Sequence, residues 1–455
     1  SEGVSDSVSV TVTAAVDQVE VTPNNARIWS DEQVQLNVSV LDANGDPLSG
    51  RTVTWSSDDT AVATVDTNGL VSGVGPGTVN ITATSEGESD TTTVTVVEWA
   101  DIDAGQQFTC AVLTDGEAYC WGDNDDGEIG NGTTGGQFSS PEPVSGNRDF
   151  VSISSGVYHN CGVTTNQHIY CWGQGGNAAL GDGSATSSNV PVKVSGAFTW
   201  SQVASGRDHT CARTTGDDIY CWGINTDGRL GTGNTQDSAT PQPVSGAFSW
   251  ADVAAGFAHT CGVTSGGDLY CWGDNGLGQL GTGNNTAQMS PTTAVGTTQT
   301  WADVSIGTNH TCATTTSGQV YCWGDNSNGQ LGLDPGTNPS SNSPVEVTVS
   351  GASFTTMVLG FGYSCALTGG GDGYCWGFNG QGNFGNGSPS SSQVTPVQIG
   401  GGYTWSTLGA GLQHTCGLNQ FVDAYCFGDN DNGEVGIGST SNVELSPTAV
   451  DRPTL

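Results

Sequence analysis

A pair of cysteines ten residues apart recurs seven times along this chain, and every one of the fourteen cysteines belongs to such a pair. The first members of the pairs follow one another at intervals of 50 to 53 residues. The pairs are Cys110 and Cys120, Cys161 and Cys171, Cys211 and Cys221, Cys261 and Cys271, Cys312 and Cys322, Cys365 and Cys375, and Cys416 and Cys426. A unit repeated at such a period is the signature of a repeat architecture.

The segment between the two cysteines of a pair predicts a β-hairpin. Cys261 and Cys271 flank the sequence GVTSGGDLY, whose Ser-Gly-Gly-Asp is a turn signal. Cysteines that oppose each other across such a ladder are close enough for a disulfide, which would stabilise the fold by about 2–3 kcal/mol. The alternatives are zinc ligands and free thiols. Structural zinc prefers a tighter Cys-x2–4-Cys spacing and four ligands, so we predict seven disulfides and an oxidising compartment.

Aromatic residues repeat together with the cysteines. Each unit opens on Trp or Phe, and Tyr followed by Cys and then Trp or Phe closes the hairpin. A ring residue two positions before the first cysteine is His in five units, at His159, His209, His259, His310 and His414, and is Phe108 or Tyr363 in the others. Phe cannot act as a base, so we interpret this column as packed structural residues and predict no catalytic residue.

Four strand-length pieces make up each unit. No helical periodicity is present in the pieces ADVAAG, HTCGVT and DLYCWG of the fourth unit, or in the Pro-rich piece PQPVSG just before it. Four short strands in about 50 residues are typical of one propeller blade, and a closed ring also protects strand edges. We therefore predict an all-β fold in which residues 99–455 form a seven-bladed β-propeller.

Charge excludes several classes of partner. The chain carries 45 acidic and 8 basic residues, for a formal net charge of −37. Such a surface repels phosphate backbones and anionic membranes, so we predict no nucleic-acid partner. No stretch approaches the 18 apolar residues of a membrane span.

The unit resembles a known repeat family. Gly-x-x-His-Thr followed by Trp-Gly-x-Asn-x-x-Gly-x-Leu-Gly is similar to the regulator of chromosome condensation repeat, over about 350 residues. The resemblance implies a seven-bladed propeller, with one blade often completed by strands from both ends of the chain. The family includes nuclear and secreted proteins, so the fold alone does not give the function. The cysteine pairs and the acidity of this chain favour the extracellular group.

Residues 14–98 lack cysteine and the repeat motif. Alternating apolar positions with turns at Asn44-Gly45 and Asn68-Gly69 predict a β-sandwich. The run VTWSSDDTAVATVDTNGLVSGVGPGTVNITAT resembles the group-2 bacterial immunoglobulin-like domain, which implies a stalk module of an extracellular protein. Trp55 is predicted to be a core residue of this domain.

Residues 1–13 parallel the end of that domain, because SEGVSDSVSVTV from Ser1 matches SEGESDTTTVTV from Ser85. We interpret residues 1–13 as the last strand of a preceding sandwich, which makes the chain a fragment of a longer tandem protein. The alternatives are a strand donated to another subunit, which would drive self-assembly, and a free tail.

Two acidic loops resemble calcium sites. DNDDGEIGNG from Asp123 and DNDNGEVGIG from Asp429 place Asp123, Asp125, Asp429 and Asp431 as candidate ligands. Each loop meets its glycine at position five, before the third oxygen ligand that an EF-hand needs. We therefore interpret the loops first as repeat turns and predict no cofactor, with weak calcium binding as the alternative.

The segments that differ most between units follow Gly-x-Leu-Gly, as in residues 133–143 and 333–344. Uneven loops on a rigid frame are common places for recognition, so we expect a protein or glycan partner there.

The sequence favours an extracellular or cell-surface structural and binding protein, in which the stalk domain presents the propeller for adhesion or appendage assembly. The two other hypotheses are a secreted propeller inhibitor of another protein and a secreted propeller enzyme acting at the central channel.

Overall fold

The computed structural model describes residues 14–294, 298–349 and 351–455. The chain divides into two compact units, and the division falls between Glu98 and Trp99. The proposed strand in residues 1–13 lies outside the described residues.

The first unit is a sandwich of short strands. Its strands are β1 Gln18–Thr22, β2 Ala26–Trp29, β3 Gln33–Gln35, β4 Asn37–Leu41, β5 Thr54–Ser57, β6 Ala63–Val65, β7 Leu70–Gly73, β8 Gly77–Ser85 and β9 Glu88–Val97. They form the sheets β1-β4, β2-β9-β8-β5 and β3-β7-β6. Alternate residues of β8 and β9 point inward, so that Val79, Ile81 and Val94 join one apolar core. Trp55 packs against this core but is only half-buried, because β5 is an edge strand of its sheet.

The described residues of the second unit form seven four-stranded antiparallel sheets. Sheets one to three are β10 Trp99–Ala104, β11 Phe108–Leu113, β12 Ala118–Asp123 and β13 Gln137–Pro143; β14 Phe150–Ser155, β15 His159–Thr164, β16 Ile169–Gly173 and β17 Ser188–Lys193; and β18 Trp200–Ser205, β19 His209–Thr214, β20 Ile219–Gly223 and β21 Ser238–Pro243. Sheets four and five are β22 Trp250–Ala255, β23 His259–Thr264, β24 Leu269–Gly273 and β25 Gln288–Thr293; and β26 Trp301–Ile306, β27 His310–Thr315, β28 Val320–Asp325 and β29 Ser340–Val347. Sheets six and seven are β30 Phe354–Leu359, β31 Tyr363–Thr368, β32 Gly373–Asn379 and β33 Ser390–Gln398; and β34 Trp405–Ala410, β35 His414–Asn419, β36 Ala424–Asp429 and β37 Val443–Ala449, preceded by the 3-10 turn Gly400–Gly402.

Each sheet is built from one continuous stretch of chain, since the four strands follow one another in sequence order. The ring closes because strand β10 of sheet one contacts β34 and β35 of sheet seven. The backbone N–H of Gly438 in sheet seven also donates to the carbonyl of Ser139 at 2.8 Å. The expectation that one blade combines strands from both ends of the chain is therefore wrong for this protein. Side-chain contacts and isolated backbone bonds, rather than a shared sheet, join the first and last blades.

The propeller core lies between neighbouring sheets. The cystine face of one sheet packs against the Trp face of the next, so that Cys211, Cys221 and Leu230 of sheet three meet Trp250 and Trp272 of sheet four. Other sheet pairs repeat this arrangement. Side chains alternate along a strand, which is why Cys271 and Trp272 lie on opposite faces of the same sheet. The fold class is all-β, as the sequence predicts.

Within the described residues we find no helix with the length and apolarity that crossing a bilayer requires.

Candidate functional site

All fourteen cysteines form disulfides, and each bond lies within one hairpin. The ladder places Cys261 directly opposite Cys271, with their Cα atoms 4.1 Å apart. The bonds are Cys110–Cys120, Cys161–Cys171, Cys211–Cys221, Cys261–Cys271, Cys312–Cys322, Cys365–Cys375 and Cys416–Cys426. All of these side chains are fully buried. The disulfides therefore belong to the cores between sheets rather than to the surface.

The repeated histidines lie in the same cores and bridge neighbouring sheets. Nε2 of His209 lies 2.9 Å from the hydroxyl of Thr260 in the next sheet, and this hydroxyl donates to the carbonyl of Arg229 at 2.8 Å. Trp272 donates to the same carbonyl at 2.9 Å. Because the threonine proton is used on the carbonyl, Thr260 must accept from an Nε2–H of His209. The imidazole therefore carries a proton on Nε2, and its charge is decided by Nδ1.

The lowered pKa values of these buried histidines indicate that their rings are neutral. Burial lowers the pKa of His159, His310 and His414 to about 4 and that of His259 to about 3. Burial also lowers the pKa of His209 well below its usual value. Nδ1 of these rings has no hydrogen-bond partner among the described residues, so a second proton there would be buried without an acceptor. The column is structural, as the sequence indicates, and it does not face the central channel.

The two exceptions to histidine are compensated across the interface. Tyr363 donates from its hydroxyl to the carbonyl of His414 at 2.6 Å. Phe108 faces a sheet in which Asn160 replaces threonine, and the Asn160 amide donates to the carbonyl of Glu128 at 2.8 Å. An apolar ring thus accompanies the loss of the hydroxyl that histidine would need.

Replacing a His–Thr pair between two sheets by a Phe–Asn pair should change how the free energy of unfolding depends on pH. In the unfolded chain His259 takes up a proton below pH 6.5, whereas the folded chain does so only near pH 3. His259 therefore costs stability as pH falls through this range, by about 1.4 kcal/mol per pH unit. The double variant His259→Phe, Thr311→Asn copies the pair Phe108 and Asn160. Relative to wild type, its free energy of unfolding should rise by about 3 kcal/mol between pH 7 and pH 4.

Denaturant titrations at several pH values measure this difference, and the buried carboxyl groups cancel because both proteins contain them. The reverse exchange, Phe108→His with Asn160→Thr, should make the acid response of the propeller steeper. Parallel pH profiles for all three proteins would contradict a neutral buried histidine.

The candidate calcium loops are organised by asparagine side chains. Oδ1 of Asn124 accepts the backbone N–H of Ile129 at 3.0 Å, and Asn430 holds Val435 in the same way. Asp125 and Asp431 are exposed. The sequence contains the signal for this turn, because the asparagine recurs in the Trp-Gly-x-Asn motif.

The loop carboxyl groups bind protons more readily than usual. Burial, followed by the charge of the adjacent aspartate, raises the pKa of Asp123 and Asp429. Burial raises the pKa of Glu128 to about 8 and that of Glu434 to about 7. Among the described residues, no three His, Cys, Asp or Glu side chains are grouped so as to hold a metal ion. The absence of a cofactor, with weak calcium binding as the alternative, stays a prediction.

The variable segments are partly strands. Strand β13 covers residues 137–143 and strand β29 begins at Ser340, so only residues 133–136 and 333–339 of those segments are irregular. These stretches were predicted to be loops because Pro and Ser are poor strand formers, except on outer edge strands such as these. A partner at this rim stays a prediction.

The central channel contains a cavity of about 340 Å³ whose lining residues were not predicted from the sequence. It is lined by the innermost strand of every sheet and by the loop that follows each of these strands. Asp103, Gln202, Asp252 and Asp303 line it. With 45 acidic residues in the chain, no aspartate pattern stands out before the ring is assembled. The sequence feature that could have identified the lining is the third residue of each unit's first strand, which is Asp252 in sheet four and Asp303 in sheet five.

Two carboxylates of the innermost strand of sheet one have a structural role, and of these Asp103 lines the cavity whereas Asp101 is not among its lining residues. Oδ2 of Asp101 accepts the backbone N–H of Ile153 at 2.9 Å, and Oδ2 of Asp103 accepts that of Ser155 at 2.8 Å. These bonds satisfy the free edge of the innermost strand of the next sheet. Burial raises the pKa of Asp103 to about 7.

Family models match both units. The bacterial Ig-like domain (group 2) model matches residues 15–96. Two models of the regulator of chromosome condensation (RCC1) repeat together cover residues 99–367 without a gap, which is more than half of the chain.

Relatives match parts of the chain. The probable E3 ubiquitin-protein ligase HERC6 of Homo sapiens is 33% identical over 157 residues, which are 33% of this chain and 15% of that protein. Ice-binding protein 1 of Shewanella frigidimarina is 38% identical over 100 residues, 22% of this chain and 11% of that protein. The chain thus spans less than a sixth of the length of either relative.

Solved structures share the fold. Prp20p from Saccharomyces cerevisiae has a TM-score of 0.67 at 19% identity, covering 76% of this chain and 86% of that chain. Human WBSCR16 has a TM-score of 0.65 at 20% identity, covering 71% of this chain and 87% of that chain. With repeat models matching more than half of its residues, the chain belongs to the family of RCC1 repeat proteins.

Proposed function

We propose that this chain is an extracellular or cell-surface binding protein whose propeller recognises another protein. The observation that carries the proposal is the buried disulfide in each of the seven hairpins. Disulfides form and persist in oxidising compartments and are rare in a reducing cytosol. The group-2 bacterial Ig-like domain supports the same location.

A protein partner is supported by the fold neighbours. The structure of Prp20p is described together with its binding properties to Gsp1p and histones, both of which are proteins. The partner of this chain has to tolerate a formal charge of −37, so an anionic polymer is a poor candidate. A glycan partner at the rim, self-assembly through residues 1–13, and the inhibitor and enzyme hypotheses stay untested predictions.

Thiol trapping in producing cells tests the location. Cells are quenched in acid, and the protein is alkylated with or without prior reduction before its mass is measured. We expect no alkylation of the fourteen cysteines unless a reductant is added first. An antibody raised against the propeller should also bind the protein on intact cells or in the medium. Alkylation without reductant, together with antibody binding only after the cells are lysed, would overturn the proposal.

A further inference from the structure

The wall of the central cavity contains two buried acceptor oxygens that receive no hydrogen bond from the described residues. Nε2 of Gln202 donates to Oδ1 of Asp252 at 2.6 Å, and since a carboxylate only accepts, this contact fixes the orientation of the amide. Oε1 of Gln202 then faces away, buried and without a partner among the described residues. Oδ2 of Asp303 is likewise buried and accepts no hydrogen bond from the described residues, while the Asp303 carboxyl group lies within hydrogen-bond reach of the Asp252 carboxyl group.

The three side chains come from consecutive sheets and share one position. Gln202, Asp252 and Asp303 are each the third residue of the innermost strand of sheets three, four and five. Asp252 uses its Oδ2 to accept the backbone N–H of Val304 at 3.2 Å. The ring geometry therefore brings a surplus of acceptors to one wall of the cavity, and no basic side chain is among the described residues that line it.

Unpaired buried acceptors are costly, and two neighbouring carboxylates repel each other. Burial and then the Asp252 charge raise the pKa of Asp303 to about 7. A bound group that donates hydrogen bonds and carries positive charge would relieve both penalties. Calcium takes six to eight oxygen ligands, whereas the described residues offer no cluster of three acidic or His ligands.

The mouth of the cavity suits a hydrocarbon chain. Val157, Phe257, Phe361 and Leu412 line it from the loops of four sheets, and the Arg207 guanidinium stacks on the Phe257 ring at 4.1 Å from its centroid. Phe361 is 44% exposed, which is unusual for a large apolar side chain of this protein. Aliphatic stems pack on such surfaces while their charged heads reach a polar partner.

We propose that the central cavity binds a primary alkylammonium group, with Gln202, Asp252 and Asp303 accepting its N–H bonds and the apolar mouth holding its alkyl chain. The inference goes beyond the extracellular role proposed above and does not depend on it, because the cavity would bind an amine in any compartment.

Calorimetric titration of the full chain with n-butylammonium chloride tests the proposal. A ligand of this size should bind with a Kd on the order of 1 mM. Butyltrimethylammonium, which has charge but no N–H, and n-butanol, which has no charge, should each bind at least tenfold more weakly. Equal binding of n-butanol, or binding of calcium chloride but not of butylammonium, would overturn the proposal.

Variants locate the site. Asp303→Asn and Asp252→Asn should each weaken butylammonium binding at least tenfold. The matched control is Asp101→Asn, at the same strand position in sheet one, which should bind as wild type does. If an aspartate variant fails to fold, Gln202→Met removes the free Oε1 without changing charge and should also weaken binding. Unchanged binding in the folded variants would contradict the assignment.

The pH dependence supplies an independent readout. Asp252 is the ionisable side chain that faces Asp303 from a neighbouring sheet. Since the pKa of Asp303 is about 7, raising the pH from 6 to 8 ionises Asp303 and should strengthen butylammonium binding several-fold. Affinity that falls over this range would contradict the site.

A free amine and a lysine side chain of a partner share this chemistry. An eight-residue peptide of Gly and Ser with one central Lys, compared with the same peptide carrying norleucine, distinguishes them. Tighter binding of the Lys peptide than of butylammonium assigns the cavity to a partner's side chain. Weaker binding of that peptide assigns the cavity to a small amine. Both results support an ammonium site, whereas equal binding of the two peptides with no binding of butylammonium overturns it.

Discussion

Refolding of the propeller is expected to fail once its seven disulfides are reduced, whereas the Ig-like unit should refold with or without reductant. Each disulfide closes a hairpin with a sequence separation of 10, and a loop of this length contributes about 2–3 kcal/mol in the loop-entropy model. A domain has a net stability of about 5–15 kcal/mol, so losing several such contributions exceeds what it can lose. Residues 14–98 contain no cysteine and supply an internal control.

The experiment needs full unfolding first, because the sulfur atoms are buried. The chain is unfolded in guanidinium with or without a phosphine reductant, diluted, and followed by circular dichroism and limited proteolysis. One hairpin can be tested alone, since Cys261→Ala with Cys271→Ala should lower the free energy of unfolding by about 2–3 kcal/mol. Full recovery of a protease-resistant propeller in reductant would contradict the role assigned to the disulfides.

Replacing Trp272 by Ala should destabilise the propeller by about 3–5 kcal/mol. The indole is fully buried, donates to the carbonyl of Arg229 at 2.9 Å and packs against Trp250 at a centroid distance of 5.9 Å. It lies so close to the backbone that a Cβ at Gly231 would be 2.7 Å from its Nε1. This approach explains the last glycine of the Gly-x-Leu-Gly motif.

Trp272→Phe should cost less, about 1–2 kcal/mol, because it loses one hydrogen bond and some volume. Sheet seven already has Phe427 at this position, where Thr415 alone donates to the carbonyl of Asn383. Guanidinium titrations followed by far-UV circular dichroism measure both variants. The control Phe421→Ala, at a side chain 70% exposed, should change stability by less than about 0.5 kcal/mol. Equal effects of Trp272→Ala and Phe421→Ala would contradict the packing described above.

Local patterns predicted the inner strands well, whereas the piece PQPVSG overlaps β21, Ser238–Pro243, by only its first three residues. The piece HTCGVT coincides with β23, His259–Thr264, and the turn before Cys271 gives the opposed cysteines. These features depend on side-chain alternation and turn chemistry within about ten residues, which the sequence contains directly. The asparagine turn was also visible, as one position of a repeated motif.

Contacts between sheets could not be predicted in the same way. Alternation assigns His209 to a face of its strand but does not identify Thr260, 51 residues later, as its partner. The grouping of Gln202, Asp252 and Asp303 depends on ring curvature and on which strand is innermost, and neither property is encoded in one repeat. Closure of the ring without a shared sheet is likewise a property of the two chain ends together.

The continuity of each sheet has a mechanical consequence. Tension applied between the two ends of the propeller would meet a seam held by side chains and a few backbone bonds, so the ring would open there before any blade lost its ladder. Each blade would then unfold as a separate event. Because the disulfide closes the hairpin, the ten-residue span between its two cysteines could not be extended. Roughly 40 of about 50 residues would lengthen per event, a step of roughly 140 Å at 3.3–3.6 Å per residue. The propeller chain would lengthen in steps of similar size, and it would stay covalently continuous after each step.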